Sequence, residues 1–391
     1  MRSVFLLGCD VDAERALEEP LGGDAARFFV LAQRAVWGMT QPDVVRANVD
    51  AALGALIRSH GGAFPAHLLA AWVWHDRDRS RADDALARAR AMATPGHALA
   101  YLLPSDEAWR CVRPDQRLEE VVEGRMWRAR HWLTMRGSTL LITSTATLVR
   151  TDGGDLLLVN PVALDGPTRD AIAALGPVRW IVTQGRAHSA HIDDARRAFP
   201  EATVLGTPGH LRHPPAAHVE LDDVLGTYRG LPAELELLPI DGHVFREWLL
   251  VHRPTRTLIV QDLVGYGLPG DPATCVGRLY AFAFGLVHRI GLMSYSVAFW
   301  ENLPALRDSL RRVRDTAFDQ VVGAHWPIEP RRGDEVRAFR EALELPLGLR
   351  RIDHVSLAAR YFWSQPGFLV DLLRYQRASS KVNAGARLRK R

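Results

Sequence analysis

The sequence predicts an α/β fold with a mostly helical addition at its N-terminus. Three observations carry this. Residues 178–206 read strand, turn, helix, strand. Short apolar runs of strand type recur before that stretch, from Thr139, and after it, as far as Val322. Residues 24–93 instead repeat their apolar positions at helical spacing. A period near two marks a strand and a period near 3.6 marks a helix, so the change of period separates the two regions. At 391 residues there is room for two domains, and an apolar share of 47% with 24% charged residues is that of an ordinary globular protein. The net charge of +4 is small and comes from arginine scattered among acids, which does not point to nucleic acid. Three well-separated cysteines, Cys9, Cys111 and Cys275, argue against a disulfide framework and fit a reducing cytoplasm. The apolar core of Met1–Cys9 is shorter than the ~7–15 residues of a signal peptide, so a strand or a cytosolic N-terminus is expected there.

In the N-terminal region, Phe28–Leu31 and Val44, Val45, Val49, Leu53 and Leu56 form helical faces. Asp43 and Asp83 are candidate caps, and Gly61-Gly62 and Pro65 separate the helices. His60, His67, His75 and His97 share no short spacing and read as core or surface histidines. Residues 104–137 mix arginine with Trp109, Trp127 and Trp132; without a basic surplus this reads as a linker packed on the following domain. Strands follow at Leu140–Ile142, Ala146–Val149 and Leu156–Val159, the last entered through the Asp152-Gly153-Gly154 turn and left at Asn160-Pro161. Asp165–Leu175 is a short helix leading to the strand Trp180–Val182.

Beyond that strand a polar turn, Thr183–Ala187, brings in His188 and His191, and a helix opens at Ile192. Pro200 ends the helix and Ala202–Leu205 is the next strand. Two histidines therefore stand where a strand's C-terminal end hands over to a helix, the edge at which α/β folds gather their ligands. Pro208–Leu231 reads as a loop region in which His210, His213 and His218 lack an acid or cysteine at ligand spacing. Gly242-His243 precedes two strands, Trp248–His252 and Arg256–Val260, the second running into Asp262. The apolar insertion Tyr266–Leu303 is too broken by His288, Arg289 and Glu301 for a membrane span of about 20 residues. It reads as a lid or an interface, with 279–300 the candidate homodimer face. Leu306–Val313 is an amphipathic helix, and Phe318–His325 is a strand that ends in a histidine. Leu369–Tyr375 has helical spacing, and the basic tail Ala386–Arg391 has the composition of a disordered end.

These landmarks resemble the metallo-β-lactamase superfamily, whose motif is His-x-His-x-Asp-His behind a strand and before a helix. Aligned on the helix, this chain reads Arg186-Ala187-His188-Ser189-Ala190-His191. His188 and His191 match motif histidines, Arg186 replaces the first and Ala190 replaces the aspartate. His243 matches the family's Gly-His, Asp262 its late bridging aspartate and His325 its last ligand, while Asn160 stands where a strand usually ends in aspartate. The closest likeness is to a poorly characterised branch with eroded metal motifs. The resemblance implies an αββα sandwich over 137–346, with a helical region at 1–136 and a helical extension with a basic tail at 347–391.

Carried over position by position, it implies two half-sites: His188, His243 and Asp262, and His191, His325 and Asp262. Each would offer two imidazoles and a shared carboxylate to a divalent ion, zinc or iron, with a position left open. Arg186 sets a permanent cation beside the first half-site, so about one ion per chain is expected, held by the second, with Arg186 free to receive an acidic substrate group. The function implied is hydrolysis of an ester, lactone or thioester on a small molecule, with Asp262 and Arg186 at the chemistry. A non-haem iron redox enzyme and a non-catalytic module for an acidic ligand are the alternatives.

Overall fold

A computed structural model of the chain describes residues 43–75, 78–93, 103–110, 115–134, 141–185, 188–212, 219–243, 245–266, 300–325 and 333–348, with the short pieces 21–22, 28, 31–32, 100, 290–291 and 386–388. Two compact units emerge. One is Met1–Pro114 with Trp132–Ile142 and Gly267–Arg289; the other is Asp115–His131, Thr143–Tyr266 and Ile290–Arg391.

The described part of the first unit is chiefly helical: α1 Asp43–His60, α2 Phe64–Trp74, α3 Arg79–Met92 and the single turn α4 Asp106–Trp109. From Phe64 to Val73 every residue of α2 is buried, so this helix is the centre of its unit rather than a surface helix. α3 is amphipathic and buries Ala82, Ala85, Leu86 and Ala89. Its N-cap is Asp78, which accepts from the Arg81 amide at 3.0 Å. Asp83, the cap expected from sequence, lies inside the helix and accepts from Trp109 Nε1 at 2.6 Å, because the polar residue nearest the preceding loop captured the helix start. His67 and His75 are core histidines bonded to the carbonyls of Gly61 and Trp109.

The second unit is a sandwich. Its larger sheet contains β1 Leu118–Val122, β2 Met126–Thr134 (as far as His131), β3 Leu141–Arg150 (from Thr143), β4 Leu156–Val159, β5 Val178–Val182, β6 Thr203–Gly206 and, past the short β7 Val219–Leu221, β8 Asp223–Val224, in the order β1-β2-β3-β4-β5-β6-β8. β4, β5, β6 and β8 run parallel. The smaller sheet is built from β9 Leu235–Pro239, β10 Trp248–His252, β11 Thr257–Val260 and, after the two-residue bridge of β12 Gly265–Tyr266 with β13 Ile290–Gly291, from β14 Gln320–Gly323. In it β9, β10 and β11 are antiparallel, and β11 and β14 are parallel.

Strand alternation sorts the layers. Leu157 and Val159 of β4, Val182 of β5 and Leu205 of β6 share one core with Leu250, Ile259 and Val322 of the smaller sheet. Their neighbours Leu156, Leu158, Ile181 and Val204 face the other way, onto Ile172 of α5 (Gly166–Leu175) and Ile192 and Ala195 of α6 (Ile192–Ala198). α7 (Leu303–Asp315) buries Leu303, Leu306, Leu310 and Val313 and packs on β9, and α8 (Gly333–Gly348) packs on α7 and β14. The order is helix, sheet, sheet, helix: the αββα sandwich that the motif order implied.

The sheet starts earlier than residue 137. The stretch 118–134, read from sequence as a linker, is a hairpin with a bulge between Glu120 and Val122. Trp127 and Ala129 point inward, while Arg128 and Arg130 share the opposite face, where both pair with Glu119 on the adjacent strand. Those two arginines broke the apolar run and hid the strand. At the far end, Ala386–Leu388 forms a strand, β15, parallel to β7, where sequence composition suggested a disordered tail. Of the insertion expected to act as lid or dimer face, residues 267–289 and 292–299 lie outside the described residues, as do Leu369–Tyr375 and Arg186. Among the described residues no helix is long and apolar enough to cross a membrane.

Candidate metal centre

Strand register builds the site. Val260 of β11 lies beside Gly323 of the parallel strand β14. Two residues further on each chain stand Asp262 and His325, so equal steps from one register pair bring the carboxylate and the imidazole together. His188 arrives from the other sheet, on the loop that leaves β5 after Val182. The Thr145 amide donates to the Ala324 carbonyl at 2.7 Å, tying β3 to the end of β14 just before His325.

The three side chains converge. His325 Nε2 lies 2.9 Å from Asp262 Oδ1, His188 Nε2 lies 3.5 Å from the same oxygen, and the two Nε2 atoms are 3.0 Å apart. A tetrahedral ion with bonds of about 2.0–2.1 Å separates its ligand atoms by roughly 3.3 Å. The donors therefore already stand at ligand spacing around one point. The second shell agrees. His325 Nδ1 bonds the Thr143 carbonyl at 3.0 Å, and this turns Nε2 into the site. His188 Nδ1 lies 3.5 Å from Ser144 Oγ, and Asp262 Oδ2 accepts from Gln261 Nε2 at 3.1 Å.

Electrostatics distinguish the members. Burial alone would push the Asp262 carboxyl up, but the charge and hydrogen bond of His188 and the hydrogen bond of His325 hold it well below the usual carboxylate range. For His325 burial works downward, and the hydrogen bond and charge of Asp262 overcome it and raise its pKa. Burial dominates at His188 and lowers it, with Asp262 opposing. The three groups titrate together, and the shifts favour a positive charge that rests on His325 rather than on His188, beside the Asp262 carboxylate.

The other residues predicted for the site are arranged differently. His243 is buried, and burial pushes it to about 4 against the pull of Asp262. Its Nδ1 accepts the Phe245 amide at 3.2 Å, which puts the proton of the neutral ring on Nε2, the tautomer opposite to an Nε2 ligand. His191 turns aside: its Nδ1 lies 3.1 Å from Asp194 Oδ2, and its ring meets His131 edge-on at 5.4 Å. The cluster that forms thus takes His188 from one predicted half-site and His325 from the other. Among the described residues it is the one group of His, Cys, Asp and Glu donors close enough together to hold an ion. Asn160 is held in a reciprocal pair with Gln184: Asn160 Nδ2 donates to Gln184 Oε1 at 2.7 Å, and the Gln184 amide donates to Asn160 Oδ1 at 3.0 Å. Gln184 also donates to the carbonyls of Trp248 and Ile259, bracing one sheet against the other beneath the site.

Sequence reasoning missed Glu247. Its side chain is buried, and it accepts from the amides of Gln261 at 2.6 Å and Asp262 at 3.1 Å. Burial first and the Asp262 charge second push its carboxyl up to about 8, against the amides that pull it down. An isolated glutamate at the head of an apolar strand, Glu247 before Trp248-Leu249-Leu250-Val251, was the available signal.

No family model matches the chain, and no curated protein does. Solved structures similar to it include a metallo-β-lactamase from Pontibacter korlensis, 13% identical over 59% of this chain and 99% of that one, with a TM-score of 0.40. A metallo-β-lactamase from Erythrobacter litoralis is 17% identical over 61% and 95%, at 0.39. FIM-1 from Pseudomonas aeruginosa, in a mono-zinc form, is 16% identical over 60% and 95%, at 0.40.

Proposed function

We propose that this protein is a metal-dependent hydrolase in which His188, Asp262 and His325 hold one divalent ion. The observation that carries this is the donor triangle, with separations of 2.9, 3.0 and 3.5 Å among buried His188, buried Asp262 and half-buried His325. Two imidazoles and a carboxylate leave a tetrahedral ion one position for water or substrate. Such an ion, when bound, lowers the pKa of water towards about 7 and polarises a carbonyl oxygen. The chain's own residues supply orientation. Thr143 holds the His325 ring, Gln261 holds the outer oxygen of Asp262, and the neutral His188 offers its Nε2 lone pair without first losing a proton.

The substrate class is an ester, lactone or thioester of a small molecule. Arg186, two residues before His188 in sequence, is the group we assign to an acidic substituent of that substrate. A stoichiometry of one ion per chain is supported by the engagement of His191 with Asp194 and by the amide of Phe245 at His243 Nδ1. The same two-His, one-carboxylate set also suits non-haem iron, so the identity of the metal separates hydrolysis from oxygen chemistry.

The test is metal analysis of protein purified without chelator, followed by esterase, lactonase and thioesterase assays. About one zinc per chain with hydrolytic turnover is expected, and Asp262→Asn should lose both. Iron with substrate-dependent oxygen uptake would move the assignment to the redox class. A parent protein that neither carries nor takes up a divalent ion ends the metal reading altogether.

A further inference from the structure

We propose that Glu247 is a positioning residue for this centre, its buried carboxyl group holding the amides of Gln261 and Asp262 and so setting where the Asp262 side chain stands between His188 and His325. The inference rests on the metal reading above. It starts from strand register. Leu250 pairs with Ile259, Val251 with Leu258 and His252 with Thr257 across β10 and β11. Extended towards the site, that register sets residue 247 opposite residue 262. On its other edge the Glu247 backbone keeps its ladder, since the Ile240 amide donates to the Glu247 carbonyl at 2.8 Å. On the β11 edge the ladder stops at Val260, because the chain must turn to deliver Asp262. The amides freed by that turn are buried and need acceptors. Glu247 supplies them with its side chain: Oε1 takes Gln261 at 2.6 Å, and Oε2 takes Asp262 at 3.1 Å.

Glu247 is 1% exposed and stands directly behind Asp262, the acid of the donor triangle. Gln261 completes the brace from the side by donating to Asp262 Oδ2 at 3.1 Å. Backbone and side chain of the ligand are thus held by different residues, and Glu247 governs the backbone.

The experiment is Glu247→Gln in the full chain, with zinc affinity measured by chelator competition on folded protein. In either rotamer the glutamine sets an N–H against one of the two amides while preserving volume. Removing a partner of a metal ligand typically costs 10–100-fold in affinity, and that loss is expected here. A merely structural cap would lower the melting temperature and leave the affinity of the folded molecules unchanged; a change of less than about twofold overturns the proposal. Should the variant fail to fold, hydrogen exchange in the parent decides. Protected amides at Gln261 and Asp262 are required, and exchange at the rate of open loop sinks the inference. A parent that takes up no zinc refutes the metal reading, and the exchange result still judges Glu247 separately.

Discussion

His325 Nδ1 lies 3.0 Å from the Thr143 carbonyl and its Nε2 lies 2.9 Å from Asp262 Oδ1, two acceptors that together favour an imidazolium. Its pKa is therefore raised in the folded chain above the ordinary 6.5, Asp262 outweighing burial. A raised folded-state pKa contributes stability that is complete below the unfolded value and is lost as pH rises through the folded one. His325 alone should therefore make the metal-free protein less stable at about pH 8.5 than at about pH 6, while His188, His243 and His252, lowered by burial, contribute in the opposite direction. Glu247, pushed up to about 8, works in the same direction as His325, since a buried acid is stable only while protonated. His325→Gln should remove the part of the pH dependence that His325 contributes, and thermal melts of both proteins across that range measure it. A variant whose pH dependence matches the parent's would contradict the imidazolium assignment. Zinc affinity should move the opposite way, increasing with pH until the proton it displaces has gone.

Among the elements, the turn ahead of His243 carries the sharpest constraint. Gly242 has φ +77°, and a Cβ there would stand 2.2 Å from the Asn302 carbonyl oxygen and 2.7 Å from the Leu306 nitrogen. Its own carbonyl accepts the amides of Glu301 and Asn302, which locks the turn onto the start of α7. Both contacts are backbone, so no side chain can move aside. Gly242→Ala should cost about 2–5 kcal/mol from strain and overlap together. Gly153→Ala is the control: its nearest neighbour would be Thr151 Oγ1 at 3.8 Å, an ordinary contact. Urea midpoints of the two variants test the difference, and equal midpoints would show that the turn is free to rearrange.

For the molecule as a whole, the core between the sheets and the metal centre should contribute independently. Leu157 is fully buried in that core and is not one of the donors. Leu157→Ala should lose about 2–5 kcal/mol. Zinc at about a thousand times its dissociation constant should add roughly 4 kcal/mol to the parent and to Leu157→Ala alike. Asp262→Asn should gain nothing. Thermal melts with and without zinc decide this, and a zinc shift that survives in Asp262→Asn would place the ion elsewhere.

The sequence by itself determined the elements and the order of the landmarks. The apolar run Leu156–Val159, the helical face of Ile192 and Ala195, and the strands ending near Asp262 and His325 are local patterns, and local patterns survive without knowledge of their neighbours. The β1–β2 hairpin escaped notice because its arginines are stabilised by Glu119 on the adjacent strand, a partner no window along the chain includes. The grouping of ligands was likewise a tertiary decision. His188 and His191 are close in sequence, yet only His188 faces the centre, since His191 begins a helix and bonds to Asp194 one turn later. His325 joined His188 through the register of β11 with β14 and the packing of one sheet on the other. Glu247 reached Asp262 in the same way, by standing opposite it across an antiparallel pair. Spacing along a chain sets which face of an element a residue occupies; which faces meet depends on register and layer packing, and those are properties of the folded molecule alone.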